Sequence, residues 1–439
     1  MRILLVKPDW TPTGGRGQVR YARHVRFAPI GLGILAALSD GHDVRVVDAN
    51  WESVPFDEPF DLVGITTTTF ASQRAFELAC RFRSRGAQVV LGGVHASLMP
   101  EECLRHADAA VVGEGEYVWK DVLADASRRQ LAGVYRADRI TDMRDVPSPR
   151  RDLLHESSWF TCVEASRGCL YRCRYCYLPS VPWREHRTRP LDAVVGEVAS
   201  LPQGAFIFVD ENLLQARDFA LSLFREIAPL RKIWLVQAPT SIAGDFELMD
   251  AMAHAGCFNV QMGFQSFSRA SLEDAGVDHG RVDRYRDVVE SLQQRGIIVS
   301  GFFMFGFDTD GPDVFDRTVE AIQDIGVDDA NLFVSTPFPG TEFHARYERE
   351  GRLLPGRLRE QFGWSHAVFQ PVHMTPEELE NGVQRAYDRL HGHFRRRLKE
   401  VIRRQWKNLA RNPRFLAAMI RGNLSTTRVG LSIRQDGPV

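Results

Sequence analysis

Three cysteines lie within eight residues of one another, in the run Cys169-Leu-Tyr-Arg-Cys173-Arg-Tyr-Cys176. Thiolates packed so closely along a chain are typical ligands of an iron-sulfur cluster or of zinc. A cluster of four irons held by three cysteines keeps one iron free of protein ligands, and a small molecule can bind there. A closed zinc site would need a fourth ligand, for which Cys162 and His186 are the nearest candidates. The spacing therefore predicts a metal centre with Cys169, Cys173 and Cys176 as ligands.

The composition limits the compartment and the partners. The 439 residues suffice for two or three domains, and the 55 basic and 56 acidic residues leave a formal net charge of -1. This balance gives no overall attraction to nucleic acid or to an anionic membrane, and no segment has the apolar length of a membrane span. The other cysteines are scattered, as expected in a reducing compartment. We expect a cytoplasmic protein that acts on a small molecule and binds neither nucleic acid nor membrane.

Residues 1–126 alternate short apolar runs with amphipathic stretches. The pattern predicts strands at Ile3–Val6, Val44–Val47, Leu62–Ile65, Val89–Leu91 and Ala109–Val112. It predicts helices at Ile30–Leu38, Arg74–Phe82 and Val118–Ala126. Strands and helices that alternate at this spacing are typical of a doubly wound, flavodoxin-like parallel sheet, so the predicted fold class is α/β.

Polar and glycine residues follow several of these predicted strands. In a parallel sheet such strand ends meet at one edge, where ligands bind. Glycine permits close approach of the backbone, and threonine offers a hydroxyl to a polar ligand. Tight turns would explain the same residues without a ligand. The candidates for a binding site at this edge are Thr66, Thr67, Gly92, Gly93, Gly113 and Glu114.

A second alternating series occupies residues 156–345, after a connector at 127–155. Strands are predicted at Phe160–Glu164, Phe206–Val209, Ile233–Val236, Phe258–Met262, Ile297–Met304 and Ala330–Val334. Helices are predicted at Pro190–Ser200, Arg217–Ile227, Phe246–Ala255, Val282–Arg295 and Val314–Ile325. Such units predict a partial (β/α)6 barrel, in which the cysteine loop follows the first strand at the edge where barrels carry their chemistry.

Residues 346–439 are predicted to form a C-terminal helical region. Its segment Thr375-Pro-Glu-Glu is typical of a helix N-terminus. From Phe394 the chain is basic and amphipathic, which predicts a helix packed on the barrel with a solvated basic face rather than a membrane or nucleic-acid surface. Trp364 and His366 are candidates for contact with the substrate.

The CxxxCxxC run, with Tyr175 before the last cysteine, resembles the signature of the radical SAM superfamily. The resemblance implies that Cys169, Cys173 and Cys176 hold a [4Fe-4S] cluster and that S-adenosylmethionine chelates the fourth iron. It implies reductive cleavage of S-adenosylmethionine to a 5'-deoxyadenosyl radical, which abstracts hydrogen from an unactivated C–H bond of the substrate. The cofactor supplies the difficult chemistry, and the protein supplies position and exclusion of water. A flavodoxin- or ferredoxin-type reductant is the protein partner that the resemblance implies.

The same resemblance implies roles in binding S-adenosylmethionine for two pairs of polar residues. Asp210 and Glu211 match the position whose carboxylates bind the amino group of the cofactor, although the family usually carries Gly-Gly-Glu there. Gln265 and Ser266 match the stretch whose side chains reach the ribose or the carboxylate. An exposed acidic turn and a helix N-cap at Ser268 would explain these residues without a cofactor.

The first domain resembles the cobalamin-binding domain that precedes many radical SAM barrels. The matching segments are 29–38, 41–44, 61–66, 91–96 and 112–116. The resemblance implies that Thr66, Thr67, Gly92, Gly93, Gly113 and Glu114 bind cobalamin. Mutases and methionine synthases carry DxHxxG after the first strand, and here Thr11 stands in place of its histidine, so no lower histidine ligand is expected. The following loop with Arg16, Arg20, Arg23 and Arg26 is a candidate to close over the site or to touch the substrate.

Three functions fit these residues. The resemblance favours cobalamin-dependent C-methylation of a small molecule of secondary metabolism, as in antibiotic biosynthesis. The second function is a radical reaction without methyl transfer, such as dehydration, deoxygenation or rearrangement of a sugar or aminoglycoside, with a first domain that does not use cobalamin. The third is a non-catalytic cobalamin or metal sensor, which the carboxylates of Asp210 and Glu211 beside three cluster cysteines disfavour.

Overall fold

The structure is a computed structural model that describes residues 1–9, 27–131, 133–155, 160–181, 184–357, 359–363 and 365–391. Several predicted features lie outside these ranges, namely Thr11, the arginine-rich loop, Trp364 and the basic helix from Phe394. Among the described helices, none combines the length and the apolar character that a bilayer span requires.

The first sheet has six parallel strands in the order β2-β1-β3-β4-β5-β6. Its strands are β1 (Arg2–Lys7), β2 (Asp43–Asp48), β3 (Leu62–Thr66), β4 (Gln88–Gly92), β5 (Ala109–Val112) and β6 (Gly133–Arg136). Its helices are α1 (Ile30–Ala37), α2 (Ser72–Arg83), α3 (Val94–Leu98), α4 (Pro100–Leu104) and α5 (Trp119–Ser127). The order of the first five strands is that of flavodoxin-like sheets, which confirms the predicted fold of this part.

Burial on both faces explains why the sequence predicted the strands of this sheet. Residues Ile3–Val6 of β1 have no exposed surface. Leu4 and Val6 join the hydrophobic cluster on one face of the sheet, and Ile3 and Leu5 join the cluster on the other. Strands covered on both faces appear in a sequence as continuous apolar runs.

The segment predicted as a connector contributes the sixth strand. Residues Gly133–Arg136 pair in parallel with β5, from Ala109 to Val112. Three of these four edge residues are exposed, so the segment carries no apolar pattern that a sequence reading can detect. We propose that the first domain ends after Arg136 rather than at residue 126.

The second sheet is also parallel, in the order β14-β13-β12-β11-β10-β7. Its strands are β7 (Phe160–Val163), β10 (Ala205–Phe208), β11 (Ile233–Pro239), β12 (Cys257–Gln265), β13 (Ile298–Phe305) and β14 (Asp329–Val334), and a separate antiparallel pair is formed by β8 (Ser166–Arg167) and β9 (Arg187–Thr188). The connecting helices are α6 (Leu191–Ser200), α7 (Arg217–Ile227), α8 (Phe246–His254), α9 (Arg269–Asp274), α10 (Tyr285–Gln294) and α11 (Val314–Ile325). In the described ranges β7 and β14 do not pair, so the barrel is partial, as predicted.

Helix α1 joins the two sheets. Its residues Ile30 and Ile34 pack with Cys162 and Ile207 on the second sheet, in a cluster that also includes Met143 from the connector. Burial of this apolar seam stabilises the arrangement in which the two sheets face each other.

The C-terminal region begins with α12 (Glu342–Arg349) and α13 (Pro376–His391). Helix α13 starts with a capping box, because the Thr375 hydroxyl accepts from the Glu378 amide at 3.1 Å and the Glu378 carboxylate accepts from the Thr375 amide at 2.7 Å. This confirms the predicted helix start at Thr375.

Two aspartates after β13 have structural partners. Asp308 accepts two hydrogen bonds from Arg352, at 2.7 and 3.0 Å. Asp310 is buried and accepts from the backbone amides of Gly306 and Phe307. Both carboxylates therefore hold the fold of this turn.

Candidate functional site

A cavity of about 1160 Å³ lies where the carboxyl ends of the two sheets face each other. Lys7, Thr66, Gly92 and Gly113 line it at strand ends of the first sheet. Strands β11 to β14 line it from the second sheet, together with the cysteine loop. Ligands of parallel sheets and barrels bind at this edge, so the cavity is the candidate functional site.

All three cysteines of the run line this cavity. Cys173 is buried, and Cys169 and Cys176 are partly exposed. The amide nitrogen of Asn212 lies 3.8 Å from the sulfur of Cys169. Three thiols that converge on one open space, with an amide beside them, fit a cluster bound at the loop.

The cysteine loop is closed at its base by the β8–β9 pair. Ser166 pairs with Thr188, and Arg167 pairs with Arg187. Gly168 follows with a φ of +90°, and a Cβ there would overlap the carbonyl oxygen of Glu185. Only glycine allows the two ends of this loop to approach so closely.

The structure disfavours the zinc alternative. Cys162 is buried in the seam beside α1 and does not line the cavity. The Nε2 atom of His186 lies 3.0 Å from the carbonyl oxygen of Asn212. In the described part of the chain, no three His, Cys, Asp or Glu side chains are grouped closely enough to hold a single metal ion. A closed zinc site needs four ligands, and neither candidate for the fourth lines the cavity with the three cysteines, so the donor set fits a cluster better than zinc.

Asp210 and Glu211, which the sequence could not separate, point in different directions. Asp210 is buried, accepts hydrogen bonds from the backbone amides of Ala165 and Ser166, and does not line the cavity. Burial raises its pKa to about 8. Glu211 lines the cavity and accepts from the Gly168 amide at 3.3 Å. We therefore propose Glu211 as the ligand of the amino group of S-adenosylmethionine and Asp210 as a brace for the cysteine loop.

Gln265 and Ser266 also differ. Gln265 lines the cavity and has a φ of +64°, a left-handed conformation that non-glycine residues seldom adopt. Ser266 is buried, and its hydroxyl accepts from the Ser268 amide at 3.1 Å. The Ser268 hydroxyl accepts from the Ser271 amide, so it is the N-cap of α9. We propose only Gln265 as a contact of S-adenosylmethionine.

The predicted cobalamin residues divide in the same way. Thr66, Gly92, Gly93, Gly113 and Glu114 line the cavity. Thr67 is buried, does not line it, and donates its hydroxyl to the Gly92 carbonyl at 2.5 Å. Gly93 has a φ of +93°, and a Cβ there would lie 2.9 Å from the Thr66 hydroxyl. Gly93 therefore lets helix α3 begin close to β3, and the hydrogen bond of Thr67 links the end of β3 to β4.

The first-domain wall fits a large, flat and partly apolar ligand. Four apolar residues of the first-domain core also line the cavity, namely Leu5, Leu32, Val90 and Trp119. Gly64, in the middle of β3, also lines it, and a Cβ there would lie 2.9 Å from the Leu5 side chain. Apolar side chains beside glycine strand ends fit a large and partly apolar ligand such as cobalamin.

Glu114 has a partner across the domain boundary. Its carboxylate accepts from both terminal nitrogens of Arg187, at 2.7 and 2.9 Å. Arg167 lies 2.8 Å from Glu116 in a second ion pair. Burial acts to raise the pKa of Glu114, but Arg187 and Arg167 lower it overall. Both arginines at the base of the cysteine loop are thus bound to the first domain, so Glu114 fixes the loop in addition to lining the cavity.

We expect Arg187→Gln to uncouple the two domains. The substitution leaves the Glu114 carboxylate without its bidentate partner in a site where both side chains are only 11–13% exposed. Removing one partner of a buried pair costs about 3–5 kcal/mol. Differential scanning calorimetry should show the first domain unfolding at a lower temperature. Arg286→Gln, in a pair whose side chains are 46% and 72% exposed, is the control and should leave the profile unchanged.

Several residues of the cavity were not detected in the sequence. Tyr171 of the cysteine loop stacks on His279, with ring centroids 3.9 Å apart. Gln237 and Gln261 enter the cavity from β11 and β12. Side chains alternate between the two faces of each strand, so the sequence indicates which of them share a face. It does not indicate which face the other sheet covers until the two sheets are placed.

Two protein-family models match the chain. The model of the B12 binding domain matches residues 23–123, and the model of the radical SAM superfamily matches residues 163–322. The two matches follow each other in the order of the two sheets. They confirm the predicted cofactor set of iron-sulfur cluster, S-adenosylmethionine and cobalamin.

Curated relatives match most of the chain. It is 26% identical over 371 residues to the bacteriochlorophyllide d C-12(1)-methyltransferase of Chlorobaculum tepidum, over 80% of each protein. It is 26% identical over 381 residues to the hopanoid C-2 methylase of Rhodopseudomonas palustris, over 82% of this chain and 72% of the relative.

A solved structure has the same two-part fold. The radical S-adenosylmethionine methyltransferase TsrM from Kitasatospora setae, with cobalamin and a [4Fe-4S] cluster bound, matches with a TM-score of 0.68 and 18% identity, over 89% of this chain and 88% of TsrM. Fold, domain order and both family models agree. The chain carries a radical SAM domain with a B12-binding domain ahead of it.

Proposed function

We propose that this chain is a radical SAM methyltransferase that methylates an unactivated carbon of a small molecule, with cobalamin bound to its first domain. One observation carries the proposal: a single cavity of about 1160 Å³ exposes the cysteine loop on one wall and the strand ends of the B12-binding domain on the other. This volume exceeds that of an ordinary pocket for one drug-sized ligand, about 300–1,000 Å³. A site that lies between two domains and also holds a substrate needs a cavity of this size.

The relatives favour methyl transfer over dehydration or rearrangement. The two curated relatives are named for methyl transfer to bacteriochlorophyllide d and to hopanoids. The chain matches both of the domains that this chemistry uses. When bound, the cluster and S-adenosylmethionine would supply the radical, and cobalamin would supply the carrier for the methyl group.

The protein's own residues position these groups. Cys169, Cys173 and Cys176 would ligate three irons, and the Gly168 turn holds the loop that carries them. Glu211 lies beside this loop and is exposed to the cavity, so it can bind an ammonium group there. The ion pairs of Arg167 and Arg187 set the distance between the loop and the first domain. Helix α1 packs in the seam against Cys162 and Ile207 and so holds the first domain against the barrel.

The proposal is tested by isotope transfer. Anaerobically reconstituted protein with cobalamin and dithionite is incubated with methyl-deuterated S-adenosylmethionine and a small-molecule extract of the source organism. Mass spectrometry should show 5'-deoxyadenosine and a product that gains one deuterated methyl group. Formation of 5'-deoxyadenosine together with a product that loses water would refute methyl transfer. Protein that holds no cobalt after growth with cobalamin would refute the role of the first domain.

We expect Glu211→Gln to weaken binding of S-adenosylmethionine about tenfold or more, because the ammonium group loses a charged hydrogen-bond partner worth about 1.5–3 kcal/mol. Equilibrium dialysis against the cluster-loaded protein measures this affinity. Asp210→Asn is the matched comparison, since Asp210 does not line the cavity. It should lower stability while leaving the affinity of the folded fraction unchanged. The reverse pattern would show that the two roles are exchanged.

The electron donor that we propose is a flavodoxin- or ferredoxin-type protein of the cytoplasm. A reducing compartment agrees with the free state of all the described cysteines. The purified donor should replace dithionite in the assay above, and 5'-deoxyadenosine release is the readout. Failure of both donor types would exclude this partner while leaving the assignment of the site intact.

A further inference from the structure

Two glutamines form a pair on the second-sheet wall of the cavity. Gln237 on β11 and Gln261 on β12 are register partners on parallel strands. Both line the cavity, and the side chain of Gln237 is solvent-exposed within it. Neither amide has a hydrogen-bond partner among the described residues. Two unpaired amides held side by side inside a cavity are available to a ligand.

The cationic side chains that line the cavity already have partners. In the described ranges, the Lys and Arg side chains that line the cavity are Lys7 and Arg167. Lys7 lies 3.0 Å from Asp48, and Arg167 lies 2.8 Å from Glu116, so each has a carboxylate partner. A phosphate or carboxylate group on the ligand would normally be met by an unpaired arginine or lysine. Of the lining carboxylates, Glu114 and Glu116 are paired with arginines, and Glu211 is the proposed ligand of the cofactor's ammonium group. The remaining described wall therefore suits a neutral group.

An aromatic surface adjoins the pair. Phe302 on β13 and Phe333 on β14 stack with centroids 5.7 Å apart and an interplanar angle of 7°. Both rings line the cavity, and Phe302 is the register partner of Gly263 on β12, two residues beyond Gln261. Stacked rings that stay partly exposed inside a cavity favour contact with a flat apolar ligand.

We propose that Gln237 and Gln261 form an uncharged hydrogen-bonding subsite that binds an amide-like or heteroaromatic edge of a flat, neutral substrate. Each primary amide offers two donors and one acceptor. Neighbouring strands lie about 4.8 Å apart, so the pair can serve a donor and an acceptor on one amide group or one ring. The proposal rests on the proposed function, because it takes this cavity as the substrate site.

A matched pair of probes tests the subsite. The probes are 2-naphthamide and 2-naphthoate, which share a flat ring system and differ in the neutral or anionic edge. Isothermal titration calorimetry is carried out on the reconstituted protein with its cofactors bound. We expect 2-naphthamide to bind at least tenfold more tightly than 2-naphthoate. Gln237→Met and Gln261→Met should each weaken 2-naphthamide about 3- to 10-fold, the loss expected for a neutral hydrogen bond, and leave 2-naphthoate unchanged.

Gln294→Met is the control, because Gln294 is exposed on α10 and does not line the cavity. It should leave both affinities unchanged. Absent binding of 2-naphthamide, equal affinity for the two probes, or unchanged affinity in both cavity variants would overturn the subsite. Iron content and 5'-deoxyadenosine release are measured on the same preparations. They distinguish failure of the subsite from failure of the proposed function. Their loss in the unsubstituted protein would count against the proposed function, whereas a failed subsite leaves both intact.

Discussion

Alanine in place of Cys169, Cys173 and Cys176 together is expected to abolish iron binding. The unsubstituted protein, reconstituted without air, should hold about four irons per chain and show a brown chromophore. The three thiols are the cysteine side chains that line the cavity in the described part of the chain. Iron and sulfide analysis with absorption spectroscopy measures the loss, and release of 5'-deoxyadenosine should fall to background.

A matched control uses cysteines outside the cavity. Cys80 is exposed, and Cys162 is buried in the seam between the domains. Cys80→Ala and Cys162→Ala should keep the full iron content. An iron content that survives the triple substitution would refute the ligand assignment. One tightly bound zinc per chain in place of iron would support the zinc alternative instead.

The second large effect concerns a buried ionic triad behind the cysteine loop. Glu197 on α6 accepts from both Arg151 and Arg189, and its side chain is 3% exposed. Arg151 also donates to the carbonyl of Cys162 on β7, at 2.6 Å. Glu197→Gln would leave two arginine charges near the start of the barrel without their carboxylate. We expect the free energy of unfolding to fall by about 3–5 kcal/mol.

Denaturant unfolding of the cluster-free protein, followed by circular dichroism, measures this change for the transition that reports the second domain. Glu320→Gln is the control, because Glu320 is 66% exposed in its pair with Arg389. It should change stability by less than about 1 kcal/mol. Equal effects of the two substitutions would show that the triad is not the stabilising feature.

The sequence predicted most of the regular structure. Helices Arg217–Ile227 and Val314–Ile325 have the predicted bounds, and the strands differ by a few residues at their ends. These elements carry strong apolar periodicity, which is a local property. The edge strand Gly133–Arg136 and the short pair Ser166–Arg167 with Arg187–Thr188 were missed because they are too short or too exposed to carry a pattern.

The sequence predicted only part of the candidate site. The spacing of the cysteines and the glycines after the strands is local, so the sequence indicated the cysteine loop and the first-domain edge as candidates, and both line the cavity. Adjacent residues such as Asp210 and Glu211 could not be separated, since their directions depend on how the cysteine loop packs on β10. Gln237 and Gln261 were missed for a similar reason. A glutamine on a strand indicates a binding site only when the structure shows that its face of the sheet lines a cavity.

The sequence by itself determined the cysteine run, the two alternating series and their order, because each depends on residues close together in the chain. The tertiary structure decided which carboxylate enters the cavity, which glycines serve turns, and how Glu114 and Glu116 meet Arg187 and Arg167. Those ion pairs join residues that are distant in the chain. Such contacts form only after the two sheets are brought face to face by the burial of their shared apolar seam.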